Sequence, residues 1–297
     1  MKPFWSFLAL IFIFIMGCGK DEFPDLGDGL SMTIDDKVVL AAKDIDYYDL
    51  STHFIYLKGT NSFLDDKLVR DSFQMCADGE KIYKGVFQSV AMSSFPIGPA
   101  IYIPGIFYGD YLIPIEFGSY IDQNGKRIPQ KDPRSDSRIL TALRSHNQLH
   151  AGLTCKISSV QFNSGGKVSL ELELINNDSF NYYYLDPEKM GVGLFHYFTN
   201  GLSLWSSSQL KSFTNHIEHI QPEPWDSWQM DWLSLIRSQE KKTIRINYTN
   251  FDPIDSGQYK LYFMFPGLSH VDKADLIQHN GRIWLGKFNL SQDFQLE

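Results

Sequence analysis

Three kinds of hydrophobic pattern follow one another along the chain. The first is an unbroken apolar run from Phe4 to Met16, interrupted only by Ser6. The second extends to about Gly152 and consists of short apolar runs separated by turn residues. In it, His53-Phe54-Ile55-Tyr56-Leu57 alternates, with Phe54 and Tyr56 on one side and Ile55 and Leu57 on the other, as a strand with an aromatic and an aliphatic face would. Lys81–Phe87, Ile101–Ile103 and Leu112–Phe117 also read as strands, and Pro114 predicts an edge position for the last. Asp78-Gly79 supplies the left-handed residues of a tight turn. Helices are expected from Asn61 or Ser62 through Phe73, and from Ser137 to Asn147 behind a cap at Ser135 or Asp136.

The third pattern, from Leu153 onward, is regular alternation. Val168, Leu170, Leu172 and Leu174 share one face, and Ser169, Glu171 and Glu173 share the other. This is a half-buried antiparallel strand, joined by the turn Ser164–Lys167 to a strand over Thr154–Phe162. Further strands are expected at Tyr182–Leu185, Gly193–Phe198, Leu202–Trp205, Lys242–Tyr248, Gln258–Phe265 and Ile283–Leu290. Such short strands at regular spacing predict a sandwich. A helix from Asp226 or Ser227 to Arg237 is expected to interrupt it, with Trp228, Trp232, Leu235 and Ile236 at helical spacing.

The fold class is therefore mainly β. An α+β domain with a mixed or antiparallel sheet is expected over 31–152. A β-sandwich is expected over 153–297, with a Trp-rich insertion at about 206–239. Near its end, Asp255-Ser256-Gly257-Gln258-Tyr259-Lys260-Leu261 resembles the tyrosine corner of immunoglobulin-like domains. The resemblance implies an immunoglobulin-like sandwich whose tyrosine hydrogen-bonds back to the preceding turn. Leu261 occupies the place where antibody-type domains carry cysteine, so the core there would be purely apolar.

The opening run has 13 residues, roughly 20 Å of helix against a hydrocarbon core of about 30 Å. It suits the apolar stretch of a signal peptide, behind the positive Lys2. Ile15-Met16-Gly17-Cys18 then resembles a bacterial lipobox. That resemblance implies a signal peptide over 1–17, a diacylglycerol on the sulfur of Cys18, and a membrane partner through that lipid. Two acyl chains hold a protein stably where one does not. Lys20, Asp21 and Glu22 are similar to the export signal that carries some Gram-negative lipoproteins to the cell surface. Outer-membrane anchoring with surface display is the expected location, with residues 18–30 as lipidated cysteine and tether.

Composition narrows the rest. A hydrophobic share of 43% and an aromatic share of 14% are enough for packed cores and argue against long disorder. The net charge of −8, without a basic cluster longer than Lys241-Lys242, disfavours a nucleic-acid partner. With Cys18 assigned to lipid, Cys76 and Cys155 remain, and two buried free thiols are expected over a bridge.

Three sets of residues invite a chemical role. His216 and His219 stand three apart and could share a helix face toward a metal or a hydrolytic centre, although exposed polar histidines are the simpler reading. Trp225, Trp228 and Trp232 could stack on sugar rings if exposed, although core filling is the simpler reading. Asp44 with Asp46, and Asp132 with Asp136, pair carboxylates that are expected to be turn residues. Neither a nucleophile elbow, a phosphate loop, a dinucleotide fingerprint nor a zincin motif is present. No cofactor is called for. The expected role is binding or assembly at the envelope, with proteins or glycan as partners and no catalytic activity. A glycan binder using exposed aromatics and a hydrolase or metal binder using His216 and His219 are the alternatives.

Overall fold

The computed structural model describes residues 27–296, apart from 93–95, 106, 122–126, 129, 164–165, 200, 207–208 and 213–226. The chain is mainly β, with three short α-helices among the described residues. None of these helices is long and apolar enough to cross a membrane.

The first half builds two main sheets, besides a two-stranded ribbon of Tyr120–Ile121 and Arg127–Ile128. The larger has six strands in the order Lys37–Leu40, Leu30–Ile34, Ser72–Ala77, Glu80–Ser89, Gly98–Ile103, Glu116–Gly118. It is mixed, because Glu80–Ser89 and Gly98–Ile103 run parallel. The turn between Ala77 and Glu80 has Asp78 and Gly79 at φ 47° and 78°, the left-handed pair that a two-residue hairpin needs. The helix Ser137–Ser145 begins where Asp136 accepts a hydrogen bond from the Arg138 amide, and it buries Ile139, Ala142 and Leu143.

The smaller sheet orders Leu149–His150, Ile45–Asp49, Phe54–Leu57 and Leu112–Pro114. Pro114 does sit on an edge strand. Both faces of this sheet are buried. Ile45, Tyr48, Ile55, Leu57 and Ile113 belong to one core, with the six-stranded sheet and the helix. Tyr47, Phe54, Tyr56 and Leu112 belong to a second core, with Tyr111 beside them and the rest of its buried residues from the second half of the chain. The alternation read at Phe54–Leu57 thus separates two cores rather than core from solvent.

The second half builds three sheets. Leu153–Asn163, Lys167–Asn176 and Lys241–Tyr248 form an antiparallel sheet in which Leu172 opposes Ile157 on one side and Ile244 on the other. Leu210–Ser212, Leu202–Trp205, Gly257–Phe265 and Phe288–Leu296 form a second antiparallel sheet. Their buried side chains, Leu170, Leu172, Leu174, Leu204, Leu261 and Phe263 among them, meet in one sandwich-like core. A third sheet orders Leu233–Ile236, Tyr182–Leu185, Gly281–Ile283 and Ile277–Gln278. The Tyr259 hydroxyl donates to the Asp255 carbonyl at 3.0 Å.

Four local expectations give way. The helix expected through Phe73 is a 3-10 turn, Asp66–Leu68, after which Arg70 takes φ 78° and the chain becomes strand. Phe73 instead lies over Gly85, where a Cβ would come within 2.1 Å of its ring, so sheet packing overrides helical spacing. The helix expected through Arg237 is a 3-10 turn, Met230–Trp232, followed by the strand Leu233–Ile236 against Tyr182–Leu185. A helix of some eleven residues is marginal alone, and the buried tyrosine strand offers it a backbone ladder. The strand expected at Gly193–Phe198 is instead helix, Val192–Phe195, continuing from a turn that Asp186 caps and Pro187 opens. The strand expected at Ile283–Leu290 divides into Gly281–Ile283 and Phe288–Leu296. Cys76 is buried, Cys155 is half-buried, and both are free thiols.

Candidate functional site

A concavity of about 650 Å³ lies at one end of the sandwich. Two connections build it. One comprises Gly166 and the facing ends of the strands Leu153–Asn163 and Lys167–Asn176. The other is the loop Thr249–Ser256, which carries the chain from one sheet of the sandwich to the other. Backbone bonds tie the two together. The Phe251 amide donates to the Gly166 carbonyl at 2.9 Å, and Asp252 exchanges bonds with Ser212, its amide donating to the Ser212 carbonyl at 3.0 Å and its carboxylate accepting from the Ser212 amide at 2.8 Å. Gly166 has φ 71°, and a Cβ there would lie 2.6 Å from the Phe251 carbonyl oxygen, so the junction requires glycine.

The lining is of two chemical kinds. Phe162, Val168, Ile254 and Leu296 supply hydrocarbon, with the Phe162 ring braced edge-on by the buried Phe251 at 6.3 Å. Asn163, Thr249, Asn250 and Ser256 supply amides and hydroxyls. Lys167 and Asp252 contribute one charge of each sign. A site of this size and mixture suits a small ligand held by apolar contact and oriented by a few hydrogen bonds.

A second constellation sits where the two halves meet. The Arg282 guanidinium lies over two rings set edge-on to each other, 3.8 Å from the ring centre of Phe180 and 4.4 Å from that of Tyr47. Tyr47 stacks on Tyr56 at 4.1 Å, and His150 stacks on the other side of Phe180 at 3.9 Å. His150 Nδ1 donates to the Asp178 carboxylate at 2.8 Å, and that carboxylate also accepts from the Tyr182 hydroxyl at 2.9 Å and the Gly152 amide at 3.2 Å. Burial alone would raise the Asp178 carboxyl, but these bonds and the pull of His150 hold it down to about 2. Nearby Asp49 is 1% exposed and accepts from the Ser51 amide and hydroxyl at 2.8 and 2.6 Å. Burial pushes its carboxyl up to about 6, helped by the charge of Asp178 and opposed by Ser51. Gly152 passes so close that a Cβ would lie 2.3 Å from both Asp49 Oδ1 and Ser51 Oγ. These groups satisfy one another across the joint between the two halves.

The residues singled out from sequence fall as follows. Cys18, Lys20, Asp21, Glu22, His216, His219 and Trp225 lie outside the described residues. Trp228 and Trp232 are partly buried against the second core, Trp284 is fully buried, and Trp205 is exposed. Asp44, Asp132 and Asp136 are turn and cap residues, accepting bonds from the amides of Ala41, Arg134 and Arg138. Among the described residues, no three of His, Cys, Asp and Glu are grouped to hold a metal ion. The cavity residues were not marked by any motif. One signal was available: eight residues separate Tyr248 from Gly257, longer than a tight hairpin allows.

No known protein family matches the chain, and no curated protein is significantly similar to it.

Proposed function

We propose that the chain is a lipid-anchored envelope protein, held in the outer membrane through Cys18 and displayed at the cell surface, whose work is to bind rather than to catalyse. The observation that carries this reading is the sequence itself: a short apolar run ending in Ile15-Met16-Gly17-Cys18, with Lys20, Asp21 and Glu22 directly behind it. The run is too short for a comfortable permanent span and ends on a thiol, the nucleophile that thioether lipidation needs. The body adds a cavity braced by backbone bonds and lined mainly by hydrocarbon, amides and hydroxyls. The immunoglobulin-like reading of the second half draws support from the Tyr259 to Asp255 bond and from the apolar surroundings of Leu261.

The test is a comparison of the wild-type chain with Cys18→Ser in a Gram-negative host, after labelling with radioactive palmitate. Wild type should take up label and partition with membranes. Cys18→Ser should remain unlabelled. Mass spectrometry of the N-terminal peptide that finds residue 18 without lipid would overturn the anchoring. Protease treatment of intact cells that spares the body, while cutting a known surface protein, would overturn the display.

A further inference from the structure

We propose that the chain pairs with a second copy of itself through the open edge of the strand Phe288–Leu296. The pairing goes beyond anchoring and binding and depends on neither. Among the described residues, three strands at the edge of a sheet are longer than four residues: Leu153–Asn163, Lys241–Tyr248 and Phe288–Leu296. An edge strand offers unpaired amides and carbonyls to any other strand, and proteins ordinarily blunt it with a bulge, lysine, proline or a covering element. Leu153–Asn163 carries a bulge between Ile157 and Ser159, with Lys156 beside it. Lys241–Tyr248 carries Lys241, Lys242 and Arg245, and the helices Pro187–Met190 and Val192–Phe195 pack against it. Phe288–Leu296 has no bulge, lysine or proline, and forms nine unbroken pairs with Gly257–Phe265 on one side. On its other side the facing sheet comes alongside through Phe162 and Phe294, 4.9 Å apart, but no backbone hydrogen bond reaches it among the described residues.

The strand is complementary to its own copy. Symmetric antiparallel pairing sets residues of the same face opposite one another. A two-fold axis through Gln292, the middle residue, uses all nine positions. On the outer face it sets Ser291 opposite the partner's Asp293 and Asn289 opposite the partner's Gln295, hydrogen-bonding pairs without a like-charge contact. On the inner face it sets Leu290 opposite the partner's Phe294 and Phe288 opposite the partner's Leu296. These four apolar side chains are only half-buried in the single chain, whereas Tyr259, Phe263 and Phe265, which pair with three of them on the adjoining strand, are buried. Pairing extends the core across the edge and completes their burial. Moving the axis to Asp293 sets two carboxylates against each other, and moving it to Ser291 sets Leu290 against Gln292, so the match belongs to one register. That self-match makes a second copy, rather than a foreign strand, the assigned occupant.

The experiment uses the purified full chain in detergent and compares Gln292→Cys with Asn289→Cys under mild oxidation. Both side chains are exposed. In the proposed dimer the two copies of residue 292 face each other, within the roughly 5.5 Å that a disulfide spans between Cα atoms. The two copies of residue 289 stand six residues out of register, about 20 Å apart. Gln292→Cys is expected to run at twice the chain's mass on a non-reducing gel, and Asn289→Cys and wild type at the chain's mass. Gln292→Lys, which sets two ammonium groups on the axis, is expected to weaken the dimer at least about tenfold in sedimentation with density-matched detergent. An unchanged far-ultraviolet circular dichroism spectrum shows that each variant folds. Wild type that sediments as a monomer at micromolar concentration overturns the proposal, and so does equal cross-linking of the two cysteine variants. A dimer that survives Gln292→Lys uses another surface and overturns it too. Copurification of a different protein that Gln292→Lys releases would give the edge to another partner and overturn self-pairing.

Discussion

Asp178→Ala is expected to destabilise the protein by about 3–5 kcal/mol at neutral pH, the range for removing one member of a buried ionic network. The Asp178 carboxylate is 4% exposed and gathers donors from both halves of the chain. Gly152 and His150 reach it from the end of the first half, and Tyr182 from the second. Its neighbour Ser179 also donates, through its amide at 2.6 Å. Truncation leaves these donors without an acceptor in a space too crowded to rehydrate freely. Asp178→Asn should cost less, since it keeps an oxygen for part of the set. Urea unfolding of the three proteins checks this. A loss below about 1 kcal/mol for the alanine variant, the size of an ordinary surface change, would mean that the network does not hold the halves together.

The second large effect has the opposite sign. Asp49→Asn is expected to stabilise the protein by about 3 kcal/mol above about pH 7, and by less than about 1 kcal/mol near pH 4. The Asp49 carboxyl is raised from its ordinary 3.8 to about 6 because burial disfavours its charge. A raised carboxyl favours the folded state fully below the ordinary aspartate value, and that favour is lost as pH rises through about 6. Above this point the fold must hold a buried anion next to Asp178. Asparagine stays neutral at every pH and keeps an oxygen for the Ser51 amide and hydroxyl. Melting temperatures of the two proteins should therefore separate as pH rises from 4 to 8. Curves that stay parallel across that range would show that Asp49 does not ionise there, and the prediction would fail.

What sequence revealed depended on the range of the interactions. Alternation at Phe54–Leu57 and Val168–Leu174 places those side chains on the correct faces, because a strand's two faces follow from its own period. The turn at Asp78-Gly79 and the cap at Asp136 were readable for the same reason, since a left-handed residue or a capping oxygen acts within a few positions. Phe63, Leu64 and Leu68, within the expected helix, pack against the first core without forming one. The errors came where a distant partner decided. Leu233–Ile236 has helical spacing and becomes strand because the edge of Tyr182–Leu185 lies beside it. The joint was invisible for a stronger form of the same reason. Tyr47, His150, Asp178, Phe180 and Arg282 are spread over most of the chain, and each alone is an ordinary strand or turn residue. The cavity was half legible, in a turn and a long loop whose meeting only the fold supplies.

The four-stranded sheet shared by both cores has a consequence for how the protein can be divided. Its side carrying Tyr47, Phe54, Tyr56 and Leu112 is covered mainly by the second half, with Tyr108 and Tyr111 of the first half alongside. A chain cut after Gly152 would leave that oily layer bare, prone to clumping with its own kind. Ribosomal synthesis meets the same hazard in time, because the layer emerges well before its cover. Secretion in an unfolded state, with folding deferred until the whole polypeptide has crossed, would remove it.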